Sequence, residues 1–461
     1  MSSRILMRSV MSQLDNPSTV EILVNNLIGD NIGNMIFASS VQRNLMSEDT
    51  IIDTTRTNKK FSRAEIDYIN ENYDYFVIPL ANAFRISFQW ELRCLTELIK
   101  ELRIPCVVVG VGVQTTVEDD LKHEFEFDEL SRNFVKAVLE KSAILGLRGE
   151  VTAQYLKRLG FVSEKDFTVI GCPSMYLYGD QLPTIKQTEL TRESKVSLNR
   201  KVGLPKKLHE FLVQCTKELP NYKFVPQNID DLRLLYAGIP MRECVYSNIP
   251  SSYPSRLNHD VILNNKEIGF VNVKTWMDFL ASCDFSYGSR IHGNIVSILA
   301  GTPCYIFVSD SRIKELAEYH NIPYMLAKDI NQDTNIFDLY EKTDYTRLQT
   351  GHKERFDHFI QFLEMNQLPH IHSSDSARGE VYFDKKMSEL EFPEPILPFS
   401  VIPLEEQMKR LAEYYDAMNH RYDDLNHKFQ REKKKVKKLE NLNEIQLAKR
   451  LVKRGLQRIS Y

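Results

Sequence analysis

No C-x-x-C pair occurs anywhere in this chain, and its seven cysteines (94, 106, 172, 215, 244, 283 and 304) are scattered and odd in number. That pattern excludes a disulfide framework and gives no zinc-ligand spacing, so a reducing compartment and no bound metal are expected. Long apolar runs are scarce as well. The longest, IPCVVVGVGV, has ten residues, too few to span a bilayer. The N-terminal MSSRILMRSVMSQLDNPS lacks the apolar centre of a secretory signal. Nor is one sign of charge in surplus: 59 Lys and Arg face 62 Asp and Glu, for a net −3. The chain as a whole therefore has no polyanion-binding signature, and nucleic acid is not an expected partner. A cytoplasmic protein, soluble or peripheral at the inner face of a membrane, is the class left standing.

At 461 residues the chain exceeds one hydrophobic core, so two domains are expected. Its first half alternates short apolar runs with longer amphipathic ones. VEILV (20–24), YFVIPL (75–80), CVVVGVG (106–112), AILGLR (143–148) and FTVIG (167–171) read as strands. Between them, 32–45, 87–102, 117–140 and 149–160 read as helices. After a polar stretch at 180–195 the rhythm resumes with KVSLN (195–199), KFVPQ (223–227), IGFVN (268–272), DFSYG (284–288) and PCYIFV (303–308). Strands that alternate with helices predict parallel sheets covered on both faces. The expected organisation is an α/β domain over 18–182, a second over 195–372, a linker over 373–400 and a helical tail over 401–461. Such sheets bind ligands beyond the carboxyl ends of their strands.

The tail carries its own pattern. Leu404, Met408, Leu411, Tyr415, Met418, Tyr422, Leu425 and Phe429 alternate spacings of four and three, a heptad seam that predicts a coiled coil or a long docked helix. A homo-oligomer formed through it is one expected partnership. Residues 428–458 hold twelve Lys or Arg against three Glu, which fits either a solvated helix face or frayed tail, or attraction to an anionic lipid or polymer, including peripheral membrane contact.

The stretch SYGSRIHGNIVSILAGTPCYIF (286–307) concentrates the chemistry. A strand, DFSYG, runs into a helix with Ser289 as expected N-cap, and the helix is apolar on all sides. Arg290 and His292 stand at its mouth. Free backbone N–H groups and the positive end of the dipole favour an anion there, while a cation opposes the dipole. Arg290 is thus expected to serve an external anion, and His292 to titrate near neutrality. The competing reading pairs Arg290 with a core carboxylate and makes His292 a satisfied core histidine. GVGVQT (110–115) lacks the third glycine of a dinucleotide fingerprint.

SRIHGNIVSILAGTPCYIF resembles the C-terminal signature of the polysaccharide pyruvyl transferase family. VNNLIGDNIGNMIF, CVVVGVGVQT, and ILGLRGEVTAQYLKRLGF followed by VIGCPSMYL resemble three further family segments, in order over roughly 20–325. The resemblance implies two Rossmann-like domains in a GT-B-like arrangement. It also implies transfer of pyruvate from phosphoenolpyruvate, a co-substrate rather than a cofactor, onto two hydroxyls of a sugar in a surface polysaccharide or its precursor. By the same resemblance His292 is the acid/base, and Arg148, Arg290, the Ile291 backbone N–H and Arg312 hold the donor. Asn31, Gly33, Asn34, Gly110, Gly112 and Gln114 line the acceptor side or the loops of the cleft. Gly149 stands where the family usually has an acidic residue after the arginine. Cys172, in GCPS, is expected as a small buried hydrophobe without chemistry. Two other functions stay open: a glycosyltransferase using a nucleotide sugar, and an inactive scaffold recruiting partners through the tail.

Overall fold

The computed structural model describes residues 3–241, 248–373 and 381–458, with side chains as far as residue 438. Cys244 and the basic side chains beyond 438 lie outside the described residues; the other six cysteines are free and buried.

Two parallel sheets organise the chain. The first comprises β1 (Ser3–Arg8), β2 (Thr50–Thr55), β3 (Tyr75–Pro79), β4 (Cys106–Val109), β5 (Leu145–Leu147) and β6 (Phe167–Val169). β2-β1-β3-β4 pair in parallel, as do β5-β6. Backbone hydrogen bonds join the two pieces just past β4: Gly110 N donates to Gly146 O at 3.0 Å, and Arg148 N donates to Val111 O at 3.0 Å. The β4 run CVVV is buried at every position, as a strand covered by helices on both faces must be. The second sheet holds β7 (Val196–Asn199), β8 (Tyr222–Phe224), β9 (Phe285–Gly288), β10 (Cys304–Val308) and β11 (Tyr324–Leu326). Its order is β11-β10-β9-β7-β8, again all parallel. The α/β class with parallel sheets is therefore the fold.

Several local expectations are corrected. VEILV is not a strand but lies in the helix Thr19–Asn25, because Ser18 and Glu21 form a reciprocal capping box there. The first strand is instead SRILMR at the N-terminus. Of the expected helix over 117–140, only Asp128–Leu139 is helical. IGFVN forms no strand; its start is held by Ile268 N donating to Phe224 O (3.0 Å), and Gly269 pairs with Ile396.

The C-terminal segments return to the body. Asn366, just past the helix His352–Met365, accepts from Ala143 N (3.0 Å) and donates to Ile144 O (3.1 Å) beside β5. The proline-containing stretch read as a linker is held by a forked Arg43–Asp384 pair (2.8 and 2.6 Å) and by buried Phe383 and Ile396. The helix Leu404–Arg458 then crosses two helices, Thr19–Asn25 after β1 and Ile229–Ala237 after β8. Tyr414 is buried, with Leu411 and Ala417 packed beside it. Arg410 sits 5.0 Å over the Tyr236 ring, and Tyr236 Oη donates to Glu413 at 3.1 Å. The heptad seam is offset from this docked face. Met408, Tyr415, Met418, Tyr422, Leu425 and Phe429 are exposed.

Candidate active site

A cavity of about 550 Å³ opens between the carboxyl ends of the two sheets. Loops after β1, β2, β3 and β5 form one wall, and loops after β8, β9 and β10 form the other. Six arginines line it: Arg8, Arg56, Arg85, Arg148, Arg290 and Arg312. Against them stand two carboxylates, Asp30 and Glu91.

Arg148 follows β5 and is 1% exposed. Its Nε and Nη2 are buried without a hydrogen-bond partner among the described residues. A desolvated guanidinium left in that state is costly, and burial pulls its pKa below the ordinary value. Gly112 makes the room: a Cβ there would sit 2.5 Å from Arg148 Cδ. The carboxylate expected beside Arg148 comes from the other sheet. A Cβ on Gly149 would run into Glu315, 2.7 Å from its Oε2. That carboxylate accepts from Thr152 N (3.0 Å) and Thr152 Oγ1 (3.1 Å), capping the helix Glu150–Arg158 in place of its glycine N-cap. Burial pushes the Glu315 carboxyl up to about 7, with Arg148 opposing.

Arg290, rather than Ser289, is the N-cap of the helix Ile291–Leu299. The shift follows from Asn199, whose Oδ1 accepts from Arg290 N at 2.8 Å and so fixes the turn from outside the helix. Gly288 packs against the Asn199 backbone with no space for a Cβ. Arg290 Nη2 donates to Asn228 Oδ1 (2.7 Å), which also faces Asn31 Nδ2 (3.5 Å) from the first sheet's side. Beside it Ser289 Oγ is buried without a partner among the described residues and lines the cavity.

His292 occupies the second helical position. Its Nε2 lies 3.8 Å from Cys172 Sγ, and Gly33 is tight against its ring, since a Cβ there would be 2.6 Å from Nδ1. Burial first, then the charges of Arg148, Arg312 and Arg290, push its pKa down to about 3. The resting imidazole is therefore neutral at pH 7 rather than titrating near it. Cys172 is buried, as expected, and desolvation raises its thiol pKa; its Sγ lies against the His292 ring.

Arg312 and Arg85 approach each other from opposite walls. With the Asn82 amide oriented to accept, its oxygen is 2.8 Å from Arg85 Nη1 and 3.1 Å from Arg312 Nη1. Two like charges thus share one neutral acceptor. Arg312 also reaches Asp310 (3.4 Å), which pairs with Lys201 (3.2 Å).

The remaining sequence candidates divide. Asn31, Asn34 and Ile291 line the cavity. Gly33, Gly110, Gly112 and Gln114 are not among its lining residues. Gly33 and Gly112 clear space for His292 and Arg148. Gly110, at φ +75°, lies under Pro173 and Phe37, and Gln114 meets the Asn82 amide at 2.6 Å. Among the described residues one cluster of metal-capable side chains occurs, Asp119, Asp120 and His123; none of the three lines the cavity.

The polysaccharide pyruvyl transferase family model matches residues 31–311, more than half of the chain. The chain belongs to that family. No curated protein matches it. Among solved structures, a functionally uncharacterised protein from Klebsiella pneumoniae is similar at 11% identity and TM-score 0.37, covering 70% of this chain and 92% of that one. UDP-GlcNAc 2-epimerases are similar at TM-score 0.40 from Methanocaldococcus jannaschii (11% identity, 79% of this chain, 99% of that). The Neisseria meningitidis epimerase is also at TM-score 0.40 (9% identity, 79% and 100%). Membership makes the chain a transferase of polysaccharide biosynthesis with a sugar or polysaccharide acceptor. No helix among the described residues is long and apolar enough to cross a membrane.

Several cavity residues escaped the sequence reading. Arg8 ends a strand that was not recognised; its guanidinium is satisfied by Thr57, Pro79 O and Glu91, so it braces the wall. Arg85 and Asn82 lie in a loop without periodic signal; Gln227 stood at the end of the expected strand KFVPQ, and its neighbour Asn228, not itself a lining residue, holds Arg290. Position relative to a strand end was the available cue, because Arg85 and Asn228 each follow β3 or β8 within a few residues.

Proposed function

We propose that this pyruvyl transferase family member moves pyruvate from phosphoenolpyruvate onto two hydroxyls of a sugar, forming a cyclic ketal and releasing phosphate. One observation carries the reading. Arg148, a buried guanidinium whose Nε and Nη2 lack a hydrogen-bond partner among the described residues, faces the same cavity as Arg290, Arg312 and a neutral His292. That cluster awaits a compact, multiply charged anion, and phosphoenolpyruvate carries both a phosphate and a carboxylate. Arg148, Arg290 and Arg312 hold those groups, aided by the Ile291 N–H at the helix start.

Proton movement follows from His292. Its neutral imidazole accepts the proton of the first sugar hydroxyl as that oxygen bonds to C2 of the donor. The imidazolium so formed, beside three guanidiniums, is a strong acid and passes the proton to the methylene carbon, giving the methyl group. The C2–O bond to phosphate then breaks, the second hydroxyl attacks C2, and its proton leaves with the phosphate. One carboxylate ketal and one hydrogen phosphate result, and the charges balance.

The test is phosphate release from phosphoenolpyruvate with a panel of sugar acceptors, including nucleotide- and lipid-linked ones. His292→Ala is expected to lower turnover by about two to four orders of magnitude. Binding of a nucleotide sugar as donor, with no phosphate released from phosphoenolpyruvate on any acceptor, would sink the proposal in favour of glycosyl transfer.

A further inference from the structure

The C-terminal helix leaves the body with an open apolar stripe. Met418, Tyr422, Leu425, Phe429 and Val436 are 40 to 69% exposed, and at 100° per residue they fall within a band roughly 60° wide. Arg421, Lys428 and Lys435 border one edge of the band, and Lys433 and Lys437 the other. Residues 428–438 carry seven Lys or Arg against the single Glu432, and every one of their side chains is exposed.

A second copy of the chain is a poor occupant for this stripe. In a parallel pair Lys428 would face Lys433 of the other helix. In an antiparallel pair Arg421, Lys428 and Lys435 would face one another. Like charges at those positions oppose pairing. An acidic helix would use the bordering charges but not Arg431, Lys434 or Lys438 on the far side. The field of a charged surface reaches all of them, since it decays over roughly 8–10 Å at ordinary salt. A soluble polyanion would use the charge but not the apolar stripe. We propose that the tail from about Met418 to Lys438 binds an anionic lipid surface, with the stripe in the headgroup–acyl boundary and the lysines against lipid phosphates.

The position of the tail gives this contact a consequence. The helix bridges Thr19–Asn25 and Ile229–Ala237 before it emerges, and Arg56, which lines the cavity, has its pKa lowered first by burial and then by the charge of nearby Arg421. Lipid binding would therefore hold the cleft near the membrane surface, where a lipid-linked acceptor is presented.

Co-sedimentation of the full-length chain with phosphatidylcholine vesicles, with and without about 30% phosphatidylglycerol, tests it. Binding is expected only to the anionic vesicles, and to weaken at least about tenfold between about 0.1 and 0.5 M salt. Leu425→Glu with Phe429→Glu, and separately Lys433, Lys434, Lys435, Lys437 and Lys438 all changed to Gln, should each weaken it at least about tenfold. All these positions are exposed, so melting temperature and phosphate release in detergent-free buffer should stay at wild-type values. Equal binding to neutral vesicles, no binding to either, or a lipid-free dimer abolished by the Leu425/Phe429 pair would each overturn the proposal. Because vesicle binding is read without turnover, its failure leaves the assignment of the reaction untouched, and the reverse holds as well.

Discussion

Lowering the pH should expose His292 in the stability of the whole chain. Its folded-state pKa of about 3 lies far below the ordinary 6.5. At pH 5 the unfolded chain has taken up a proton at this histidine and the folded chain has not. Folding therefore loses stability as pH falls below about 6.5, and the loss levels off only near pH 3. Between 6.5 and 5 it amounts to about 2 kcal/mol, at about 1.4 kcal/mol per pH unit. Other buried histidines add their own slopes, so the measurement is a difference. Urea unfolding of wild type and His292→Gln, followed by the fluorescence of buried Trp276, should converge by about 2 kcal/mol as pH drops from neutral to 5. Saturating phosphoenolpyruvate should shrink this convergence, because the anion cancels the guanidinium field that adds to burial in keeping the ring neutral. Parallel curves for the two proteins would refute the reasoning, and with it the neutral resting state assumed for proton transfer.

Three further outcomes follow from the same geometry. Arg148→Met removes a buried guanidinium with two nitrogens that lack a hydrogen-bond partner among the described residues, so it should raise the melting temperature, by the equivalent of about 1–3 kcal/mol, while weakening donor binding at least about 100-fold; destabilisation would contradict this. Glu315, raised to about 7, has the opposite sign to His292: its charged form is penalised on folding, so stability falls as pH rises from about 4.5 to 7. Glu315→Gln should erase roughly 3 kcal/mol of that slope in pH-dependent urea unfolding. Gly112→Ala places a methyl 2.5 Å from Arg148 Cδ, and steady-state kinetics should show kcat/KM for the donor reduced at least about tenfold, through displacement of a catalytic-site group rather than loss of fold.

What was legible in the sequence is what is decided locally. A strand, a two-residue turn and an apolar helix announce themselves within SYGSRIHGNIVSIL, so Arg290 and His292 could be placed at a helix mouth from periodicity alone. The same holds for Arg148, which directly follows a short strand before an amphipathic helix. The first strand was missed because VEILV looks more strand-like than SRILMR, although the S-x-x-E capping box at Ser18–Glu21 marked a helix start. The depressed pKa of His292 was out of reach, since it depends on burial and on arginines from two other loops. So was Glu315: nothing in its helix shows that its carboxylate fills the space left by Gly149 on the other sheet. The tail's periodicity was legible, but not the face on which it docks, because Tyr414 and Tyr415 are equally good candidates until the body is present.

If the cavity takes the proposed donor, the links between the two walls bear on how it discriminates among anions. Ser311 and Thr115 exchange hydrogen bonds across the cleft, with Thr115 N donating to Ser311 Oγ at 3.0 Å and Ser311 N to Thr115 O at 3.2 Å. Glu315 caps a helix of the opposite wall. Elsewhere Ile32 N donates to Gln227 O (3.0 Å), Ile229 N donates to Asp30 O (3.1 Å), and Arg233 donates to Leu23 O (2.7 Å). The tail helix lies over helices from both sides. Opening the cleft as a hinge would break these backbone and charge-assisted bonds together, several of them buried. Selectivity then rests on a charge constellation already in place, with Arg148 and Arg290 fixed by Gly112 and Asn199 before any ligand arrives. Preorganisation of that kind favours a small dianionic or trianionic donor over a larger neutral one, because the desolvation of the guanidiniums has been met during folding and only an anion recovers it.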